Sequence, residues 1–304
     1  MKKSLHLTSL VVTSAIVLAS QNAFAQSSSG TRMPMLVSGV FYNWMSQDVQ
    51  AAWNSSYSGQ GVTVTVLDDF TSGSTFSGNF GDGTNTLMHG EWTRKEISMI
   101  APNATMASQD FNTNTAVTLA PGLNVINMSY GMYAKRSVYW GPQEGSVIND
   151  ARSGTAIVTK AAGNDSVAIG ASVGGQKDYL DISLIGLPTA IFVGALNKNG
   201  SPTDKATLAW YSNYAGSDRK VQAQFLVVGV AGDQTTLYGT SFAAPIIAGY
   251  AAILGSKFTR ATPVQITNQL LNTARQDTLK NYSAAIYGRG EASLSRSLAP
   301  VSIR

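Results

Sequence analysis

Five short runs rich in β-branched and other apolar residues recur along the chain, with helix-like stretches between them. The runs cover residues 62–67, 124–128, 155–159, 190–194 and 225–230. Apolar residues at successive positions are typical of strands that are buried on both faces of a sheet. Strands that alternate with helices predict an α/β fold, here one doubly wound, mainly parallel sheet with helices on both faces. Active sites of such folds lie beyond the carboxyl ends of the strands.

Three helices can be placed between and after these strands. Residues 146–152 form a candidate helix that Gly154 closes. Thr262 and Pro263 are typical of an N-cap and a first helical residue, and they predict a helix that continues to Ala274. A long apolar segment, residues 241–254, predicts a helix through the core with Ser241 at its N-terminus.

The segment 1–25 has the pattern of a secretory signal peptide. Two lysines precede an apolar run over 10–18, and the segment ends in Ala23-Phe24-Ala25. A membrane anchor is the competing interpretation, but the run is shorter than the roughly 20 residues that a spanning helix needs. We therefore expect a leader over 1–25, an N-terminal arm over 26–48 and one globular domain over 49–304. An exported protein, either secreted or periplasmic, is the expected product.

Composition excludes several classes of protein. The chain has no cysteine, so it has no disulfides, cysteine nucleophiles or thiolate metal sites. Without the leader, 19 basic residues oppose 17 acidic ones, and this weak balance argues against a nucleic-acid partner. The part of the chain that follows the leader, 26–304, is long enough to bury one large core.

Outside the leader the chain keeps a single histidine, His89. It lies between Asp68, which follows the first predicted strand, and Ser241. A serine hydroxyl needs a base to take its proton and a carboxylate to orient that base, and imidazole is the usual base near neutral pH. A helix N-terminus beside Ser241 also favours a developing oxyanion. The three residues are therefore a candidate catalytic set. The alternative is that Ser241 only caps the helix N-terminus and has no catalytic role.

The segments around these residues resemble the subtilisin-like serine peptidases, the subtilases. The resemblance runs over about 49–300, and the most specific segment is Gly-Thr-Ser-Phe-Ala-Ala-Pro at 239–245. The strand 61–68 resembles the aspartate motif of the family, and 88–90 resembles its histidine motif. Residues 125–131 resemble its substrate-binding strand, 161–164 its oxyanion asparagine segment and 287–290 its closing turn.

The resemblance implies a serine endopeptidase that acts on polypeptides and needs no organic cofactor. Ser241 would be the nucleophile, His89 the base, Asp68 its orienting carboxylate and Asn164 the oxyanion donor. The primary specificity pocket would be walled by Ser129, Tyr130 and Gly131 on one side and by Ala161, Ala162 and Gly163 on the other.

Three of these assignments have alternatives. Asp69 is adjacent to Asp68, Asn164 could stabilise a turn after Gly163, and Ser129 with Gly131 could be ordinary loop residues. No ligand-spaced acidic cluster indicates a metal, so structural calcium is not readable and no metal is expected. The sequence also does not indicate whether a protein inhibitor binds.

Two motifs depart from the family pattern. Asp69-Phe70 replace a small hydroxyl residue and glycine after the aspartate, and Gly90-Glu91-Trp92-Thr93 replace Gly-Thr-His-Val. The arm is also too short for the folding propeptide domain of most secreted subtilases, which predicts folding without one. The altered flanks leave open a second function, an inactive subtilase-like binding or surface-interaction module.

Overall fold

Twelve strands and ten α-helices make up the described part of the computed structural model, residues 3–4 and 39–303. The strands are β1 (Lys3–Ser4), β2 (Val62–Asp68), β3 (Thr75–Gly78), β4 (Asn85–Met88), β5 (Thr105–Asp110), β6 (Leu123–Met128), β7 (Gly131–Ala134), β8 (Ile157–Ala161), β9 (Ser172–Val173), β10 (Gln176–Asp178), β11 (Ala190–Leu196) and β12 (Phe225–Gly229). The helices are α1 (Gln47–Asn54), α2 (His89–Ile100), α3 (Pro142–Ser153), α4 (Tyr179–Leu184), α5 (Arg219–Gln224), α6 (Gly232–Thr235), α7 (Ala244–Lys257), α8 (Pro263–Asn272), α9 (Ala284–Tyr287) and α10 (Leu294–Leu298).

The central sheet has six parallel strands in the order β12-β11-β8-β6-β2-β5. The chain leaves β2 for β5 on one side and then returns to β6 on the other side. This reversal of direction opens a crevice beyond the carboxyl ends of β2 and β6, where ligands bind in open α/β sheets. The predicted doubly wound fold is confirmed.

Two apolar cores lie on the two faces of the sheet. One contains Trp92 of α2, Ile247 of α7 and Leu270 of α8, and the other contains Val147 of α3, Leu180 of α4 and Val221 of α5. Neighbouring strand residues alternate between them, so Val66 contributes to the first core and Leu67 to the second. This alternation explains why the predicted strands are apolar at successive positions.

Several element boundaries differ from those expected. The strand predicted over 155–159 runs over Ile157–Ala161, because Thr155 is still bound to the last turn of α3, with its hydroxyl 2.8 Å from Asp150 Oδ1. Helix α3 starts at Pro142 rather than at 146, and Gly154 closes it with φ 72° as expected. Helix α8 ends at Asn272 instead of Ala274. Helix α7 starts at Ala244, because the residues before it form a tighter 3₁₀ turn, Thr240–Phe242.

The predicted leader and most of the predicted arm lie outside the described residues. Of the leader, only Lys3–Ser4 is described, as the strand β1 that pairs antiparallel with β7. The described end of the arm packs on the core, where Trp44 donates a hydrogen bond to the Phe80 carbonyl at 2.7 Å. Within residues 3–4 and 39–303, no helix combines the length and apolar character that crossing a membrane requires.

Candidate active site

Asp68 and His89 meet where the end of β2 faces the start of α2. The Nδ1 atom of His89 lies 2.6 Å from Asp68 Oδ1, and both side chains are buried. Asp68 also accepts hydrogen bonds from the Asp69 N–H at 2.7 Å and from Thr93 Oγ1 at 3.1 Å. These contacts fix the Asp68 carboxylate, which in turn holds the imidazole in one orientation.

The neighbouring Asp69 has a different environment. Its carboxylate accepts from the N–H groups of Thr71 and Ser72 and from the Ser72 hydroxyl, at 3.3, 2.9 and 2.5 Å. Asp69 therefore closes its own loop, and Asp68 is the carboxylate that contacts His89.

Ser241 lies in the 3₁₀ turn that precedes α7. Its hydroxyl donates to the Ser129 carbonyl at 3.2 Å, and the Ser129 hydroxyl donates back to the Ser241 carbonyl at 3.0 Å. Ser241 and His89 line the same cavity, but the Ser241 hydroxyl bonds to Ser129 instead of to the imidazole. Contacts between a nucleophile and its base are often loose without substrate. A rotation of the Ser241 side chain is thus required before proton transfer.

Asn164 follows β8 and has its amide oriented by the turn that carries Ser241. Its Oδ1 accepts from the N–H of Thr240 at 2.8 Å and from the Thr240 hydroxyl at 3.0 Å. The Nδ2 group is therefore left as a donor at the edge of the cavity. Gly239 has φ 128°, and a Cβ there would lie 3.3 Å from Asn164 Nδ2, so a glycine is required at this approach.

A cavity of about 190 Å³ extends from these residues and is bounded by two backbone segments. Five of the six residues expected to wall the specificity pocket line it: Ser129, Tyr130, Gly131, Ala161 and Gly163. The sixth, Ala162, is buried, and its carbonyl accepts from Asn213 Nδ2 at 2.8 Å. The structure thus brings Asn164, His89 and Ser241 to one cavity with both walls.

The first wall continues into β7, and β1 occupies its edge. Ser4 is paired with Gly131 and Lys3 with Met132, in antiparallel orientation. A strand that continues in this register runs towards Ser129, whose carbonyl contacts the Ser241 hydroxyl. The edge of β7 can therefore take up an extended segment beside the serine.

Sequence reasoning missed several residues of the cavity. They include Phe76, whose ring centroid lies 6.2 Å from that of His89, and also Leu237, Tyr238, Tyr133, Lys160, Asp165 and Asp178. Lys160 carried a signal, since a lysine within a strand that is otherwise apolar must be paired when it is buried. The other residues come from loops and hairpins without a recognisable pattern. Among residues 39–303, no group of three or more potential ligand side chains is placed to hold a metal ion.

The chain is similar to known proteins in sequence and in fold. The model of the subtilase family matches residues 73–290. Mycosin-5 from Mycobacterium tuberculosis is 37% identical over 92 residues, which are 27% of this chain and 16% of that protein. The match to this relative therefore covers a small part of its length.

Two solved structures share the fold. The prenylagaramide maturation protease PagA superposes with a TM-score of 0.55 at 19% identity, covering 82% of this chain and 96% of its own. MycP1 from Mycobacterium smegmatis gives a TM-score of 0.52 at 20% identity, covering 83% of this chain and 82% of its own. Since the family match extends over more than half of the sequence and contains His89, Asn164 and Ser241, the chain belongs to the subtilase family of serine-type peptidases.

Proposed function

We propose that the protein is an exported endopeptidase that hydrolyses peptide bonds with Asp68, His89, Ser241 and Asn164. The observation that carries the proposal is the convergence of these groups: a 2.6 Å contact joins Asp68 to His89, which shares one cavity with Ser241 and Asn164. Asp68 lies before the segment that the family model matches, so its role depends on this contact alone.

The reaction begins when the Ser241 hydroxyl leaves the Ser129 carbonyl and turns to His89. His89 takes the proton as Ser241 Oγ attacks the substrate carbonyl carbon, and it then gives the proton to the leaving amine. Asp68 accepts the hydrogen bond from Nδ1 throughout and stabilises the imidazolium. Water repeats the sequence on the acyl-enzyme, which releases the second product and restores Ser241.

The oxyanion of each tetrahedral intermediate would be bound by two donors, the Asn164 amide and the N–H of Ser241. Thr240 holds Asn164 Oδ1 through two hydrogen bonds, so Nδ2 does not have to reorient during the reaction. The substrate would add a strand to the edge of β7 in the position that β1 takes. Backbone pairing of this kind fixes the register of the scissile bond and leaves selectivity to the side-chain pocket.

Labelling with a fluorophosphonate probe tests this function without knowledge of a substrate. We expect the purified protein to be labelled, and Ser241→Ala to abolish labelling while the melting temperature stays nearly unchanged, because only a hydroxyl is lost. Ser256→Ala is a matched control, since Ser256 is another buried serine, and its hydroxyl donates to the Ile253 carbonyl. Labelling that survives in Ser241→Ala would contradict the assigned nucleophile.

A folded protein that the probe does not label would favour the binding-module alternative. The double variant His89→Ala/Ser241→Ala separates the cases further, because members of a triad act as a unit. We expect its peptidase activity to be little lower than that of either single variant. Additive losses would mean that the two residues do not work together.

Export is the remaining element of the proposal, and it depends on the sequence of the segment 1–25. We expect the protein recovered from outside the cytoplasm to begin at Gln26. Intact-mass measurement on that protein checks the cleavage site, and a mass that still includes the segment 1–25 would contradict it.

A further inference from the structure

One part of the cavity lining is polar and partly buried. Between the wall 129–131 and the wall 161–163, it contains Tyr133, Lys160, Asp165 and Asp178. None of these groups has a part in the proton transfers of the proposed reaction. They lie between the two segments to which the resemblance to the subtilases assigns the walls of the specificity pocket.

Lys160 is buried and faces three oxygens of the protein. Its Nζ donates to the Ala161 carbonyl at 2.7 Å and lies 3.2 Å from Asp178 Oδ2 and 3.1 Å from Asp181 Oδ1. The ammonium group is thus already paired with carboxylates of the protein. Lys160 is therefore not available to bind an acidic side chain of a substrate.

Asp178 connects the Lys160 ammonium to the opposite wall. Its Oδ1 accepts from the Met132 N–H at 2.9 Å, and its Oδ2 would lie 2.6 Å from a Cβ at position 131. The pair Lys160–Asp178 thus holds the Ala161 carbonyl and the Met132 N–H at a fixed separation. Both walls are tied to the same buried ion pair.

The charges in this part of the cavity lining do not cancel. Two buried carboxylates, Asp178 and Asp181, lie within 3.2 Å of the one ammonium group. Burial raises the pKa of Asp181 to about 8, with a further rise from Asp178 that Lys160 opposes. Lys160 remains charged: burial alone would lower its pKa, but Asp178 and Asp181 outweigh that effect and raise it. The single ammonium group of Lys160 faces both Asp178 and Asp181, so it leaves no positive charge to compensate Asp165.

Asp165 is the carboxylate that remains. It is half-buried, and its Oδ2 accepts from the Tyr133 hydroxyl at 3.0 Å. Within residues 39–303, no lysine, arginine or histidine forms an ion pair with it, and Lys160 is the only lysine or arginine that lines the cavity. The same carboxylates affect the neighbouring Tyr133. Burial raises the pKa of Tyr133, and the negative charges of Asp178 and Asp165 raise it further.

We propose that this pocket selects a basic side chain, lysine or arginine, at the substrate residue before the scissile bond, and that Asp165 pairs with its cationic end. The inference depends on the proposed function, because it places the substrate along β7 and the scissile bond at Ser241. The Tyr133 ring lies beside Gly131 and flanks the path to Asp165, which suits the apolar stem of a long basic side chain.

Peptide binding to Ser241→Ala tests the selectivity without any need for catalysis. Three dye-labelled peptides of the form Ala-Ala-Ala-Xaa, ending in lysine, norleucine or glutamate, are titrated and followed by fluorescence anisotropy. Norleucine has a similar apolar stem without the charge. We expect the lysine peptide to bind about tenfold more tightly than the norleucine peptide, and the glutamate peptide to bind most weakly. Equal or reversed affinities, or no binding of any peptide at millimolar concentration, would overturn the proposal.

Asp165→Asn in the same background identifies the residue responsible. An asparagine oxygen can still accept from the Tyr133 hydroxyl, so we expect the preference for lysine over norleucine to fall about tenfold. Asp204→Asn, which neutralises an exposed carboxylate paired with Lys198, is the matched control and leaves the preference unchanged. An unchanged preference in Asp165→Asn would overturn the assignment.

A salt titration covers the case in which Asp165→Asn does not fold. Raising the ionic strength should reduce the lysine preference of Ser241→Ala, because screening weakens a partly exposed ion pair. A preference that does not respond to salt would overturn the proposal. Labelling of the unaltered protein by the fluorophosphonate decides the proposed function separately, so the two failures are distinguishable.

Discussion

Thr93→Val is the most direct test of how the buried carboxylate of Asp68 is held. Thr93 Oγ1 lies 3.1 Å from Asp68 Oδ2 and 3.1 Å from the Gly90 carbonyl, so its one hydrogen is shared between two acceptors. Valine has nearly the same shape but no donor. The variant therefore removes one of three hydrogen bonds from a charged group that has no exposure to solvent.

The expected size of the effect follows from these contacts. A hydrogen bond to a charged group contributes about 1.5–3 kcal/mol, and the sharing of the Thr93 hydrogen favours the lower end, about 1.5 kcal/mol. A domain of about 260 residues has an entropy of unfolding of about 0.55 kcal/mol/K near its melting temperature. Division of the two values predicts that Thr93→Val lowers the melting temperature by about 3 °C. Differential scanning calorimetry at neutral pH measures this shift.

Thr267→Val is the matched control. Thr267 of α8 is fully buried, and its hydroxyl has no hydrogen-bond partner among the residues that the structure describes. Removal of an unsatisfied hydroxyl should leave the melting temperature unchanged or raise it. Equal decreases of the melting temperature in both variants would mean that the exchange of a hydroxyl for a methyl group causes the effect by itself. That result would refute the claim that Thr93 supports Asp68.

Three further changes test other parts of the site. Asn164→Asp keeps the oxygen that accepts from Thr240 but removes the Nδ2 donor. We therefore expect kcat to fall by about 10²–10³ with little change in KM, a scale that was measured for subtilisin, of the same family, and that we adopt and do not derive. Between about pH 4 and pH 8 the folded protein keeps a proton on Asp181 that the unfolded chain has already released. The free energy of unfolding of the wild type therefore falls as the pH rises through this range. Asp181→Asn lacks this cost, and its melting temperature relative to wild type should rise from pH 5 to pH 8; a constant difference would contradict the raised pKa. Gly131→Ala places a Cβ 2.6 Å from Asp178 Oδ2, and we expect KM for peptides to rise more than kcat falls, whereas unchanged steady-state kinetics would exclude the clash.

The central strands could be predicted because burial on both faces leaves a clear signal in the sequence. Strand β11 is buried at every position and was recognised from its apolar run. Strand β5 was missed, because it forms the edge of the sheet and its sequence, TMASQD, is only partly buried. Polar residues are tolerated at an edge that is only partly covered, as in β5. Strand β12 forms the opposite edge but is buried at every position, so its apolar run is kept.

Some residues of the site could likewise be predicted from the sequence, and others could not. His89 and Ser241 could be proposed from local motifs, since each is surrounded by residues that shape its own turn. The charged residues of the cavity could not be predicted, because Asp178 and Asp181 lie well beyond Lys160 in the sequence and approach it only through β10 and α4. Sequence shows that a lysine within a buried strand needs partners, but only the fold identifies them.

The unusual residues after Asp68 are compatible with the site because the contact to His89 is set by the backbone. The Gly90 N–H donates to the Asp69 carbonyl at 2.9 Å, and this bond joins the end of β2 to the start of α2. The Phe70 ring packs against the same point, where a Cβ on residue 90 would lie 2.8 Å from Phe70 Cζ. A glycine after His89 therefore makes room for the phenylalanine, and the loop can vary as long as this backbone bond is kept. The distance from Asp68 to His89 thus depends on position 90 more than on the side chains at 69 and 70.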